Sequence, residues 1–330
     1  MRWILMTAIA ATLLGCGEPL SNRLLEEDVL FRTSLPVAED VATSAPEDEV
    51  EGAEARDLGD RATLVTTTKS VSALYNGIVW SLLGVVDAVV QTEPSRREDD
   101  VRIWGPFAGR KAGSSLILAV RRADDGIFTY SIEGAAVPRW AADEDTDWAP
   151  VMSGTFLRGA SLRDGEGQFV LDAAAWALID SRFEGGSGQM AIAHARRGDG
   201  VAIDVVVADW TTDRHGALDA AYSFRRRAEG GGFFEYETVA EVLDNGGEPE
   251  NYVIRVRWNA NGAGRGDYLL RGEGLGAGTP GSECWDADFG RTWFLFDPPG
   301  EQFDQVEGEE ASCLLGHEAP GDPAPELPEE

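Results

Sequence analysis

Lys69-Ser70-Val71-Ser72-Ala73-Leu74-Tyr75-Asn76-Gly77-Ile78-Val79-Trp80-Ser81-Leu82-Leu83-Gly84-Val85-Val86-Asp87-Ala88-Val89-Val90-Gln91-Thr92 is the stretch on which the fold of this chain turns. Val71, Leu74, Ile78, Leu82, Val85 and Val89 recur at steps of three and four, the period of an α-helix. Tyr75, Val79, Trp80, Leu83, Val86 and Val90 widen that stripe until the helix is apolar nearly all round, which suits a helix enclosed by protein or by lipid. Only 17 residues lie between Lys69 and Asp87, and Asn76, Gly77 and Gly84 interrupt them. A bilayer needs about 20 apolar residues, so enclosure by protein is the expectation. Pro94 stops the helix soon afterwards, and Leu82→Asp is expected to destabilise the fold.

Something concave must receive such a helix, and the rest of the chain supplies it. From Val101 onward the apolar period changes to two. Tyr252, Ile254, Val256 and Trp258 alternate with Val253, Arg255, Arg257 and Asn259; Phe128, Tyr130 and Ile132 alternate with Thr129, Ser131 and Glu133. Similar runs lie at 101–106, 115–122, 152–159, 167–171, 189–197, 201–209, 219–227, 233–242, 266–271 and 290–296. Turns such as Asp124-Asp125-Gly126, Gly198-Asp199-Gly200 and Asp244-Asn245-Gly246-Gly247 separate them. A dozen short strands with hairpin spacing predict a mainly β fold. The expected architecture is a large antiparallel sheet, curled or closed into a barrel, enclosing or covered by the 69–91 helix. A short helix over Asp172–Asp180, capped by Asp172, interrupts it. For the 219–227 and 233–242 hairpin, a turn centred on Gly230 predicts Phe224 and Tyr236 paired inward. The same register sets Arg225 opposite Glu235 on the outside.

The chain carries 58 acidic and 28 basic residues, a formal charge of −30. Residues 17–60 hold 13 acids and 3 arginines, and residues 297–330 hold 11 acids and no Lys or Arg. The charge therefore concentrates at the two ends, leaving 61–296 as the helix plus antiparallel β domain. Such a field repels nucleic acid, so no nucleic-acid partner is expected. Residues 37–60 read as an acidic disordered tether, because they hold few large apolar groups. Residues 297–330 read as an acidic, Pro-rich tail.

The first residues have their own logic. Met1-Arg2 followed by the apolar run Trp3–Leu14 has the layout of a secretory signal peptide over residues 1–15. Residues 16–36 follow as an anchor and short helix, with Ser21 as its N-cap and apolar positions at 24, 25 and 29. Leu13-Leu14-Gly15-Cys16 resembles the lipobox of bacterial lipoproteins, in which the peptidase cuts before the cysteine and the cysteine carries lipid. The resemblance implies membrane attachment at Cys16. Gly17 after it resembles the pattern of lipoproteins sent to the outer membrane. With Cys16 lipidated, Cys284 and Cys313 remain as a pair. An oxidising envelope favours their disulfide, worth about 3–4 kcal/mol in the chain-entropy model, over two buried thiols. No Cys-x-x-Cys or neighbouring His accompanies either, so no metal is expected there.

Catalytic patterns are weak. No Gly-x-Ser-x-Gly, His-Glu-x-x-His or phosphate-loop motif occurs. Gly276-Ala277-Gly278-Thr279-Pro280-Gly281 matches Gly-x-Gly-x-x-Gly formally, but with no helix to follow it reads as a flexible loop. Asp143, Asp145 and Asp147 mimic the start of a calcium loop, yet Trp148 stands where the turn glycine belongs and Gly154 where the closing Glu belongs. These read as a solvated acidic loop. His194 shares a strand face with Met190 and Ile192 and reads as a core histidine; His215 and His317 fall in loop and tail. No cofactor and no catalytic residue is expected.

Trp104-Gly105-Pro106-Phe107, Gly262-Ala263-Gly264-Arg265 and Glu283-Cys284-Trp285-Asp286 resemble uncharacterised outer-membrane lipoproteins of large-genome Gram-negative bacteria. That resemblance carries no known activity. At the level of fold alone, an anchor followed by helices within a curled sheet is similar to the lipoprotein-receptor proteins of outer-membrane sorting. The resulting expectation is a non-enzymatic envelope lipoprotein that binds an apolar ligand, lipid or envelope protein in a curled β domain. A surface interaction module with a sealed core is the alternative, and an envelope hydrolase is a third. A cavity beside the 69–91 helix would favour the first, and a filled interior the second.

Overall fold

The computed structural model describes residues 22–43, 57–124, 126–143, 145–159, 164–212, 215–240, 250–272, 278–296 and 305–321. Cys16 and Ser21 lie outside them. Among the described residues the α-helices are α1 (Asn22–Thr33), α2 (Ala38–Val41), α3 (Thr63–Val90) and α4 (Ala173–Trp176). Strands β1 (Arg96–Arg97), β2 (Val101–Ala108), β3 (Ser115–Asp124), β4 (Ile127–Ala135) and β5 (Ala149–Arg158) begin the sheet. It continues through β6 (Gly165–Asp172), β7 (Ser187–Arg197), β8 (Gly200–Thr212), β9 (His215–Arg226) and β10 (Gly232–Ala240). The last five are β11 (Glu250–Trp258), β12 (Gly264–Arg271), β13 (Thr279–Trp285), β14 (Arg291–Phe296) and β15 (Gln305–Gly308). All fifteen form one antiparallel sheet in strict sequence order, an open meander.

One face of this sheet is the core. Phe128, Tyr130 and Ile132 on β4 are buried beside Ile203 and Val205 on β8, Phe224 on β9, Phe234 on β10 and Ile254 and Val256 on β11. Their neighbours in each strand point to the other face, as the period of two requires. α3 lies on the core face through Tyr75, Val79, Leu83 and Val86, all buried. Its start is tied to the late strands: Ala62 donates its backbone N–H to Phe289 O at 2.9 Å, and Arg61 bridges Gly290. Its end is tied to the early ones, where Trp104 Nε1 on β2 donates to Thr92 O at 3.2 Å. α1 packs beside that end, with Phe31 edge-on to Phe128 at 5.7 Å.

Several expectations need correction. α3 starts at Thr63, six residues before Lys69, and its burial is one-sided. Ser70, Ala73, Gly77, Trp80, Gly84 and Asp87 form an exposed stripe, with Trp80 53% exposed. The sheet is open, so it wraps one face of the helix and leaves the other to solvent. The Leu82 side chain lies outside the described residues. Within the tether, residues 38–41 are helical and Val41 is buried, because α2 packs against α3, where Thr43 N–H donates to Asn76 Oδ1 at 2.9 Å. Thr279–Gly281 belongs to β13 rather than to a loop. That strand has no β-branched aliphatic residue to signal it. It is held by its neighbours, and Gly281 makes room for the Tyr268 ring, which a Cβ there would strike at 1.9 Å.

The hairpin register also differs. Phe224 faces Phe234, Tyr222 faces Tyr236, and Arg225 faces Phe233 rather than Glu235. The aromatics do point inward, since a shift of two residues in the sum of paired numbers preserves the faces. The cause lies on the next strand. Gly232 sits beneath the Trp258 indole, where a Cβ would lie 2.2 Å from Cζ2. That packing sets which residue can begin β10. Arg225 instead pairs with Asp204 on β8, and Glu235 with Arg255 on β11, both on the outer face.

Candidate functional site

Beside α3, a gap of about 30 Å³ opens among Val85, Leu116, Ile132, Val151, Trp176 and Ile179. That is room for one water molecule. Tyr75, Val79, Leu83 and Val86 of α3 are buried in the curve of the sheet. Under the first half of the helix the packing turns polar: Ser72 Oγ and the hydroxyls of Tyr75 and Tyr236 are buried without a hydrogen-bond partner. Burial drives the Tyr75 and Tyr236 hydroxyls far up from the usual tyrosine range, so they stay neutral.

What seats α3 comes from far along the chain. Ala62, its N-cap, offers no side-chain acceptor. The buried Glu283 carboxylate on β13 substitutes, accepting Thr63 N–H at 3.0 Å and Leu64 N–H at 2.7 Å. Arg291 on β14 donates Nε to the same carboxylate at 2.7 Å. A carboxylate at a helix N-terminus meets unpaired N–H donors and the positive end of the helix dipole. At the other end of the sheet, Asp28 of α1 accepts from Arg102 Nε at 2.8 Å and from Arg97. Burial opposes ionisation of Asp28, but those two guanidinium groups outweigh it and hold the carboxyl below the usual range.

The histidines do not converge. His194 on β7 is buried, stacked on Phe156 at 6.1 Å, and its Nε2 has no partner. Desolvation pushes it down to about 4, so the ring is neutral at physiological pH. The side chain of His215 lies outside the described residues. His317 is the one that meets a carboxylate, its Nδ1 being 3.0 Å from Asp267 Oδ1 on β12. Burial opposes ionisation of Asp267, yet hydrogen bonds from Ser282, Arg265 and His317 hold its carboxyl below the usual range. Asp143 Oδ1 accepts from Asp145 N–H and Thr146 Oγ1, closing an acidic turn on itself. Among the described residues no group of three metal-capable side chains gathers.

Cys284 and Cys313 form a disulfide with Cα atoms 5.5 Å apart. It fastens far more structure than a pinned tail. β15 pairs with β14, residues 310–312 make one 3-10 turn, and the chain then crosses the outer face of the sheet to Gly321. Beneath it Phe233, Arg255, Arg265, Asp267, Ser282 and Cys284 are buried. Arg257 bonds Glu318 and Gly316 O, and Arg265 bonds Glu310 at 3.1 Å. The outer face of β5–β8 has no such cover among the described residues. Two adjoining hollows of about 420 and 510 Å³ open there and share Thr155, Gln168, Ala193 and Asp204. Short side chains such as Ala191 and Ala193 make the floor, between Val170, 39% exposed, and Val206, 56% exposed. No family model, curated protein or solved structure matches this chain.

Proposed function

We propose that the chain is a non-enzymatic interaction module of the bacterial envelope, held to the outer membrane by lipid on Cys16. The observation that carries the reading is the interior. Among the described residues the gap beside α3 holds about 30 Å³, far below the several hundred a lipid chain or drug-sized ligand needs. Partners then meet the surface. The acidic ends keep nucleic acid and other polyanions away. Purified from membranes, the protein is expected to carry no lipid beyond that on Cys16, measured by native mass spectrometry. One tightly held lipid per chain would refute the sealed interior. In the Cys16→Ser chain, acyl labelling and membrane retention should both disappear; retention without the cysteine would remove the anchor from the reading.

A second reading is an apolar or amphiphilic ligand taken up under α3. The unpartnered Ser72, Tyr75 and Tyr236 hydroxyls favour it, since buried polar groups are normally hydrogen-bonded. The same mass measurement decides between the two.

A further inference from the structure

The crossing segment and the open trough lie on one line. Cross-strand partners on the outer face run Ser282, Asp267, Arg255, Glu235, Ser223, Asp204, from β13 to β8. The same row continues through Ala193, Gln168 and Thr155 on β7, β6 and β5. The segment follows this row strand by strand. Cys313 is bonded to Cys284 on β13, His317 to Asp267 on β12, and Glu318 to Arg257 on β11. Gly321 N–H donates to Glu235 Oε2 on β10 at 3.0 Å. Nine residues, 313 to 321, thus cross three strand spacings. The four residues that the two hollows share are the next members of the row after Ser223.

Residues 322–330, Asp322-Pro323-Ala324-Pro325-Glu326-Leu327-Pro328-Glu329-Glu330, follow Gly321 and lie outside the described residues. We propose that the trough on β5–β8 is the seat of this segment, which continues the row and sets Leu327 between Ala193 and Val206. Strands are spaced ~4.8 Å apart, so Ala193 on β7 is about 14 Å from Glu235 on β10. An extended Pro-rich chain advances ~3.1 Å per residue, so the six residues to Leu327 span about 19 Å, enough to reach it. Three prolines favour that extended form and give up N–H donors that a chain lying across a sheet face does not use. Arg225 on β9 is the cation the chain meets on leaving β10, and Asp322 is the first residue to meet it. An apolar floor of alanines flanked by valines fits one leucine and neighbouring prolines. An outside partner for this face then has to displace the protein's own segment. The inference does not depend on what that partner is.

Disulfide trapping tests it. In the Cys16→Ser chain, Leu327→Cys is paired in turn with Ala193→Cys, Val206→Cys or Glu237→Cys, all three exposed positions on the outer face. Glu237 stands on β10, two residues from Glu235, so an undocked segment meets it first. Docking is expected to close the 327–193 or 327–206 bond at least tenfold faster than 327–237. Equal rates, or faster closure at 237, would overturn the proposal. So would a disulfide-linked dimer, which would give the trough to a second copy.

Discussion

Glu283→Ala should unseat α3. In the native protein that carboxylate, with its side chain 1% exposed, accepts two helix N–H groups and the Nε of Arg291, itself 5% exposed. Truncation strips the first turn of its acceptors and takes the 2.7 Å carboxylate from Arg291, among whose other contacts are Glu307 at 3.7 Å and Thr63 Oγ1 at 3.2 Å. Breaking a buried ion pair by removing one partner costs about 3–5 kcal/mol, and losing an N-cap alone about 1. The two overlap, so a loss of about 4 kcal/mol is expected, read as a fall in the urea midpoint at constant slope. Amide exchange at Thr63 and Leu64 should quicken with it. Pairing the change with Arg291→Met removes the buried guanidinium together with its carboxylate and should return about half of the loss. If Glu283→Ala alone costs less than about 1 kcal/mol, the value of an exposed pair, then Glu283 does not seat the helix.

His194 gives a pH signature. Its native value of about 4 lies below the ordinary 6.5, so the unfolded chain binds a proton that the folded one refuses. Stability is therefore full above pH 6.5 and falls as pH drops towards 4. The loss is on the order of 3 kcal/mol. His194→Leu should flatten that part of the stability–pH curve, and an unchanged slope would show that other groups produce it. Asp28 acts lower on the scale: its depressed carboxyl stabilises above 3.8, and that contribution disappears as pH falls through its lower native value. Leu83→Asp encloses a charge against the sheet and should cost several kcal/mol by denaturation, whereas a harmless substitution would contradict its burial. Cys313→Ser opens the loop to Cys284 and should cost about 3–4 kcal/mol. Limited proteolysis should then cut within 309–321 first.

Sequence alone determined the periodic parts of this protein. Strands such as β4, β6 and β7 and the body of α3 were legible because each buries one face and exposes the other, which stamps a period of two or 3.6 on the residues. Asp172 as a cap was legible too, since its partner is the N–H of Ala175, three residues away at 2.8 Å. The Cys284–Cys313 pairing followed from the count of cysteines only with Cys16 read as the lipid site. Tertiary structure decided what depends on residues distant in sequence. β13 carries no periodic apolar signal and exists because β12 and β14 flank it. The β9–β10 register follows from Trp258 covering Gly232, and the N-terminal acceptor of α3 is 220 residues away from Thr63. The acidic tail looked like a segment unable to fold because its own apolar content is low. Residues 305–321 of it are held by arginines and a cysteine that β11–β13 present on the outer face. Composition describes what a segment can bury by itself; only the assembled sheet shows what it is held against.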